Sequence, residues 1–129
     1  MANIHSIEHV SLLVSDVATS VDFYCRILGL GRSDARPDLG YPGAWLTVGQ
    51  QQIHLLQLPD PCRGQQRPAH GGRDHHIAFQ VVDLELLAQR LLDHGTAITR
   101  SRSGRQAFFC RDPDGNALEF IAISHQTMP

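Results

Sequence analysis

Four polar residues interrupt apolar stretches of the chain, and their types and spacing make them the first candidates for chemistry. His9 opens the run Glu8-His9-Val10-Ser11-Leu12-Leu13-Val14-Ser15-Asp16, and His76 opens His76-Ile77-Ala78-Phe79-Gln80-Val81-Val82-Asp83. In both runs an aspartate follows the histidine seven positions later, so the chain carries an internal repeat. His54 lies within Ile53-His54-Leu55, and Glu119 stands between Leu118 and Phe120. Three imidazoles and a carboxylate, with no thiolate among them, suit Zn, Ni, Mn or Fe in the divalent state. Glu119 buried unpaired in an apolar strand would be costly, whereas a bound cation compensates its charge. A single histidine at a strand end is more often a hydrogen-bonded structural residue, and for His9 alone that reading would be preferred. Repeat-related placement of all four favours the metal reading. His75 competes with His76, but strand alternation turns it to the opposite face and only His76 reproduces the spacing to aspartate. His5, His70, His94 and His125 have no such support and read as surface residues.

The elements that must position these residues follow from periodicity. His5 to Val14 alternates as a strand, with His9, Ser11 and Leu13 on one face and Val10, Leu12 and Val14 on the face expected to be core. Asp16 or Thr19 can cap the next segment, where Val21, Tyr24, Cys25 and Leu28 fall at helical spacing before Gly29. Gly31 to Arg36 reads as an edge strand ended by Pro37, and residues 38–43 as a loop. Ala44 to Val48 and Gln51 to Leu58 form a hairpin across Gly49-Gln50, whose register sets Trp45 directly opposite His54. Residues 59–74 are rich in proline, glycine and arginine and read as a linker, long for a passive connection. The pattern then restarts: a strand from His75 to Val82, a helix through Leu84, Leu87, Ala88 and Leu91 to near Gly95, and a short strand within Thr96 to Arg100. Gln106 to Arg111 and Asn116 to Ile123 form a closing hairpin across Asp112-Pro113-Asp114-Gly115. Each unit is thus strand, helix and three strands, an α+β arrangement in which a two-fold pseudo-axis would make the four polar positions equivalent in pairs.

Bulk properties narrow the function classes. The length of 129 residues suits one domain, with module 1 at about 4–58, the linker at 59–74 and module 2 at about 75–124. Halves this small are marginal alone, so they are expected to share a core. A net charge of -2 argues against a dedicated nucleic-acid binder. All eleven basic residues are arginine, which excludes Schiff-base lysine chemistry. Cys25, Cys62 and Cys110 form no CxxC, no secretion signal is read at the N-terminus, and no apolar run is long enough to span a membrane. A reduced, cytoplasmic protein is expected.

The repeated unit, the two His-to-Asp strands, Ile53-His54-Leu55 and above all Asp112-Pro113-Asp114-Gly115-Asn116-Ala117-Leu118-Glu119-Phe120 resemble the vicinal oxygen chelate superfamily, which includes glyoxalase I, bleomycin-resistance proteins and extradiol dioxygenases. The resemblance covers nearly the whole chain. It implies two βαβββ modules forming a curled mixed sheet around a metal cleft, often with the cleft shared between subunits of a homodimer. Carried over one at a time, the family's ligand positions fall on His9, His54, His76 and Glu119. His54 departs from the glutamate usual at that position in glyoxalase I enzymes, which leaves Glu119 as the carboxylate base and His54 as a fourth ligand or a second base.

The resemblance therefore implies a divalent-metal-dependent, glyoxalase-like lyase or isomerase acting on a small substrate with vicinal oxygens, such as a glutathione thiohemiacetal. Arg36, Arg73, Arg100, Arg102 and Arg105 are candidates for a substrate carboxylate, although most arginines on a chain like this are solvated surface. Trp45 and either Phe108 or Phe109, with Phe108 taken as the pocket residue, would line an apolar part of the pocket. His9, His76 and Glu119 alone would make the 2-His-1-carboxylate triad of an Fe(II) extradiol-type dioxygenase and also resemble the metal site of fosfomycin-modifying thiol transferases. A third alternative is a resistance protein that sequesters a small molecule without catalysis.

Overall fold

The computed structural model describes residues 3–123, which divide into two compact units, Met1–Arg63 and Gly64–Pro129. His125 lies outside the described residues. Unit 1 begins with strand β1 (His9–Leu13), followed by helix α1 (Val17–Val21), which continues as a π-helical segment over Asp22–Ile27. Strands β2 (Gly31–Ser33), β3 (Gly43–Val48) and β4 (Gln51–Leu56) complete it. Unit 2 repeats the order. A 3-10 turn at Gly71–Arg73 leads into β5 (His76–Val81), helix α2 (Leu84–Asp93), β6 (Thr99–Arg100), β7 (Ala107–Arg111) and β8 (Ala117–Ala122). The sheets have the same strand order, β1-β4-β3-β2 and β5-β8-β7-β6, with a parallel pair joining the first and last strand of each unit. Each unit is therefore a βαβββ module with a four-stranded mixed sheet.

The repeated aspartates have a local cause. The Asp16 side chain accepts from Thr19 N at the start of α1, and Asp83 accepts from Leu86 N at the start of α2, so each is the N-cap of its helix. The seven-residue interval is the distance along the chain from the head of a strand to the cap of the helix that follows it.

Each helix covers one face of its own sheet. In unit 1, Phe23, Tyr24 and Ile27 are buried with Val14, Ala44, Leu46, Ile53 and Leu55. In unit 2, Leu84, Ala88 and Leu91 of α2 are buried, as are Phe108, Cys110, Leu118 and Phe120 of the sheet. Alternation then sends the other set of side chains to the opposite face, and that face carries the candidate site residues.

Three expectations are revised. The first helix widens into π geometry, with Leu28 N bonded to Phe23 O at 3.0 Å. Strand β2 stops at Ser33, because Ser33 Oγ accepts from Ala35 N and Arg36 turns to donate to Tyr41 O, bonds that compete with continued pairing. Strand β5 starts at His76 rather than His75, whose N–H is taken by the Asp74 carboxylate.

Candidate metal and substrate site

In unit 1, β1 pairs with β4 so that His9 faces Gln52 and Ser11 faces His54, while β3 sets Trp45 opposite His54 as the hairpin register required. Three rings stack on this face. The His54 ring lies 3.9 Å from that of His9 and 4.3 Å from that of Trp45, nearly parallel to both. His9 Nδ1 is bonded to Glu8 Oε1 at 2.7 Å, which directs Nε2 away from the carboxylate. His54 differs, since its Nε2 is bonded to Gln52 Oε1 at 2.8 Å. Burial first, then the neighbouring His9 and Arg36, lower the His54 pKa against an opposing pull from Glu8, so the ring is neutral at pH 7.

Unit 2 reproduces the register residue for residue. His76 faces Ala117, Ala78 faces Glu119, and β7 sets Phe109 opposite Glu119 as β3 sets Trp45 opposite His54. His76 Nδ1 donates to the Asp74 carbonyl at 2.8 Å, leaving Nε2 3.3 Å from Glu119 Oε1. The Glu119 side chain is only 7% exposed, and its second oxygen accepts from Arg105 Nη2 at 3.1 Å. A buried carboxylate thus lies beside an imidazole and accepts a charge-assisted bond from a guanidinium.

Beside this pair is a cavity of about 390 Å3 lined by residues that include His70, Arg73, Arg102, Arg105, Phe109 and Glu119. Its polar contacts and aromatic floor suit a small anionic molecule with an apolar part.

The structure sorts the other candidates. Phe108 is fully buried in the core and faces Phe120, so the lining position belongs to Phe109, one residue on, as strand alternation requires. Arg36 donates to Tyr41 O at 2.8 Å and lies over the Tyr41 ring, which ties it to its own loop. Arg100 pairs with Glu85 and covers Phe108, on the sheet face away from Glu119. Arg73, Arg102 and Arg105 line the cavity. His70 was expected at the surface but is 8% exposed, with Nδ1 2.9 Å from Thr99 Oγ1 and its ring edge-on to Phe109. No periodicity marks His70. The available signal was His70-Gly71-Gly72-Arg73 inside a linker longer than a passive connection needs.

Three of the side chains have donor chemistry suited to a divalent cation. His9 and His76 each have Nδ1 held by an acceptor, which leaves an Nε2 lone pair, and Glu119 is a desolvated carboxylate. His54 fits once Gln52 releases its Nε2. Among the described residues, neither unit groups three His, Cys, Asp or Glu side chains by itself; each contributes a pair.

The model of the Glyoxalase/Bleomycin resistance protein/Dioxygenase superfamily matches residues 6–120. The chain belongs to that superfamily. It is 33% identical over 119 residues to Glyoxylase I 4 of Arabidopsis thaliana, covering 88% of this chain and 68% of the relative. It is also 37% identical over 119 residues to the glutathione transferase FosA of Serratia marcescens, covering 90% of this chain and 79% of the relative. Among solved structures, a Bacillus anthracis protein assigned to the glyoxalase family superimposes with a TM-score of 0.74 at 25% identity, covering 96% of this chain and all of that one. Among the described residues no helix is long and apolar enough to cross a membrane.

Proposed function

We propose that the protein is a divalent-metal-dependent, glyoxalase-like lyase or isomerase in which His9, His54, His76 and Glu119 are the donor set, acting on a small substrate with adjacent oxygens such as a glutathione thiohemiacetal. The observation that carries this reading is the equivalence of the two pairs. Each unit presents an oriented histidine on its first strand and a buried donor two register positions further along its last strand. A structural histidine has no reason to recur at the same register opposite a buried carboxylate in the other half.

When bound, a divalent ion supplies Lewis-acid polarisation of the substrate's oxygens. The chain's own residues do the rest. Glu119, held by Arg105 through Oε2, is a carboxylate beside the cavity and can move a proton at Oε1. His54, neutral and wedged between His9 and Trp45, serves as a fourth donor or as a second base. Arg73 and Arg105 would receive a substrate carboxylate, while Phe109 and Trp45 offer flat apolar surfaces. The FosA relative is named as a glutathione transferase, which supports glutathione as part of the substrate. The test is turnover of methylglyoxal with glutathione by protein loaded in turn with Ni, Zn and Mn. Turnover with at least one ion is expected, and inactivity with all three would overturn the reading.

One observation favours a second reading. The Gln52 bond to His54 Nε2 leaves His9, His76 and Glu119 as a three-donor set with open positions, as an Fe(II) ring-cleaving oxygenase requires. Oxygen uptake with a panel of catechols after anaerobic Fe(II) loading separates the two readings.

A further inference from the structure

The cavity in unit 2 contains a second histidine, which the donor set does not use. His70 is buried at the head of the 3-10 turn, edge-on to Phe109 with ring centroids 4.8 Å apart, and Phe109 is in turn edge-on to His76 at 5.3 Å. Its Nδ1 is engaged by Thr99 Oγ1 at 2.9 Å. Its Nε2 edge faces a notch that exists because residue 72 is glycine: a Cβ there would lie 2.9 Å from Nε2 and 3.2 Å from Phe109 Cζ. The same cavity is lined by Arg73, Arg102, Arg105, His76 and Glu119.

The partner of Nδ1 distinguishes His70 from the two oriented histidines of the donor set. His76 Nδ1 meets a backbone carbonyl and His9 Nδ1 meets a carboxylate, groups that only accept. In their neutral form those two rings therefore carry the proton on Nδ1 and a lone pair on Nε2, which is what a metal ligand needs. A threonine hydroxyl both donates and accepts, and it rotates to suit. His70 can therefore present Nε2 as a lone pair or as an N–H, with Thr99 following the change. An imidazole able to alternate in this way suits proton transfer rather than ligation.

We propose that His70 is a catalytic acid–base residue of this pocket, exchanging protons with the substrate through Nε2 while Thr99 holds Nδ1. The proposal rests on the isomerase reading and deepens it. Glu119 Oε2 is engaged by Arg105 and Glu119 itself belongs to the donor set, so a base outside that set is useful. In the step, Nε2 takes the proton from a carbon next to a carbonyl, and the electron pair of the broken C–H bond moves onto the carbonyl oxygen. While Nε2 carries that proton, the Nδ1–H is donated to Thr99 Oγ1. The proton then returns to the former carbonyl carbon while the substrate's hydroxyl proton passes to the former carbonyl oxygen, giving the isomer and restoring neutral His70 with no net redox change. Burial, Arg102 and Arg73 lower the His70 pKa, with Glu119 opposing, so at neutral pH the ring starts as a base.

Two measurements test this. The first needs no substrate. In 15N-histidine-labelled protein at pH 8, His70 should show intermediate shifts at both ring nitrogens, while His76 shows the single Nδ1–H tautomer. The His70→Gln variant assigns the signal, and Thr99→Val should collapse His70 to one tautomer. A single fixed tautomer in the wild type would overturn the proposal. The second uses the thiohemiacetal of methylglyoxal and glutathione. His70→Gln should lower kcat roughly 100-fold or more with metal content and KM unchanged, and Gly72→Ala, which sets a methyl against Nε2, should lower kcat in the same direction. Retained kcat in both variants, beside an active wild type, would also overturn it. An inactive wild type refutes the glyoxalase reading instead, and the tautomer measurement then decides on His70 alone.

Discussion

His54 is the residue at which the two readings of the site divide, and Gln52 controls it. Their hydrogen bond of 2.8 Å occupies the ring nitrogen that a metal would need. If His54 is a fourth donor, binding the ion requires breaking that bond, a net cost of about 1 kcal/mol. Gln52→Leu should then tighten Zn binding roughly fivefold, measured by competition with a chromophoric chelator, while His54→Ala weakens it. Unchanged affinity in both variants would place His54 outside the donor set and make it a base. The stacked Trp45 is a control, since Trp45→Leu removes the ring contact of 4.3 Å without touching Nε2.

At the scale of elements, a salt-bridge knot holds the entry to β5 and with it the carbonyl that orients His76. Asp74 Oδ2 accepts from Arg67 Nε at 2.6 Å and from Arg111 Nη1 at 2.8 Å, while Oδ1 accepts from His75 N. Arg111 also reaches Pro68 O and Gly115 O, tying the linker to the Asp112–Gly115 turn. Burial opposes ionisation of Asp74, but the bonds from Arg111, Arg67 and His75 N outweigh it and hold its pKa at about 2, below the ordinary 3.8. A depressed carboxylate pKa gives stability that is fully present above the unfolded value and is lost as pH falls through the folded one. The wild type should therefore lose urea resistance between about pH 4 and pH 2, and its advantage over Asp74→Asn should shrink across that window. An advantage independent of pH there would mean that Asp74 contributes no ionic stabilisation. Little of this knot was legible in the sequence. Alternation and turn chemistry gave the strands, the Trp45–His54 register and the turn at Gly115, whose φ of +88° only glycine adopts readily, because these depend on near neighbours. Arg67, His70 and Arg111 act across separations of up to 48 residues, and no local period records such pairings. Phe108 was misplaced by a single strand position, which is enough to reverse its face.

At the scale of the molecule, the proposed function assigns two donors to each unit, too few for a tight site alone, and so requires one ion to draw on both pairs. The requirement has a thermodynamic signature. An ion that binds only the folded protein stabilises it by about 2.7 kcal/mol at a free concentration one hundred times its Kd, so Zn should raise Tm and a chelator should reverse the rise. His9→Ala, in one unit, and His76→Ala, in the other, should each abolish most of that increment. The double variant should then lose scarcely more than either single one, because residues serving one ion are strongly non-additive. Separate weak sites in the two units would instead give two partial losses that add. Differential scanning calorimetry of the four proteins with and without Zn distinguishes the outcomes, and additive losses would overturn the shared donor set.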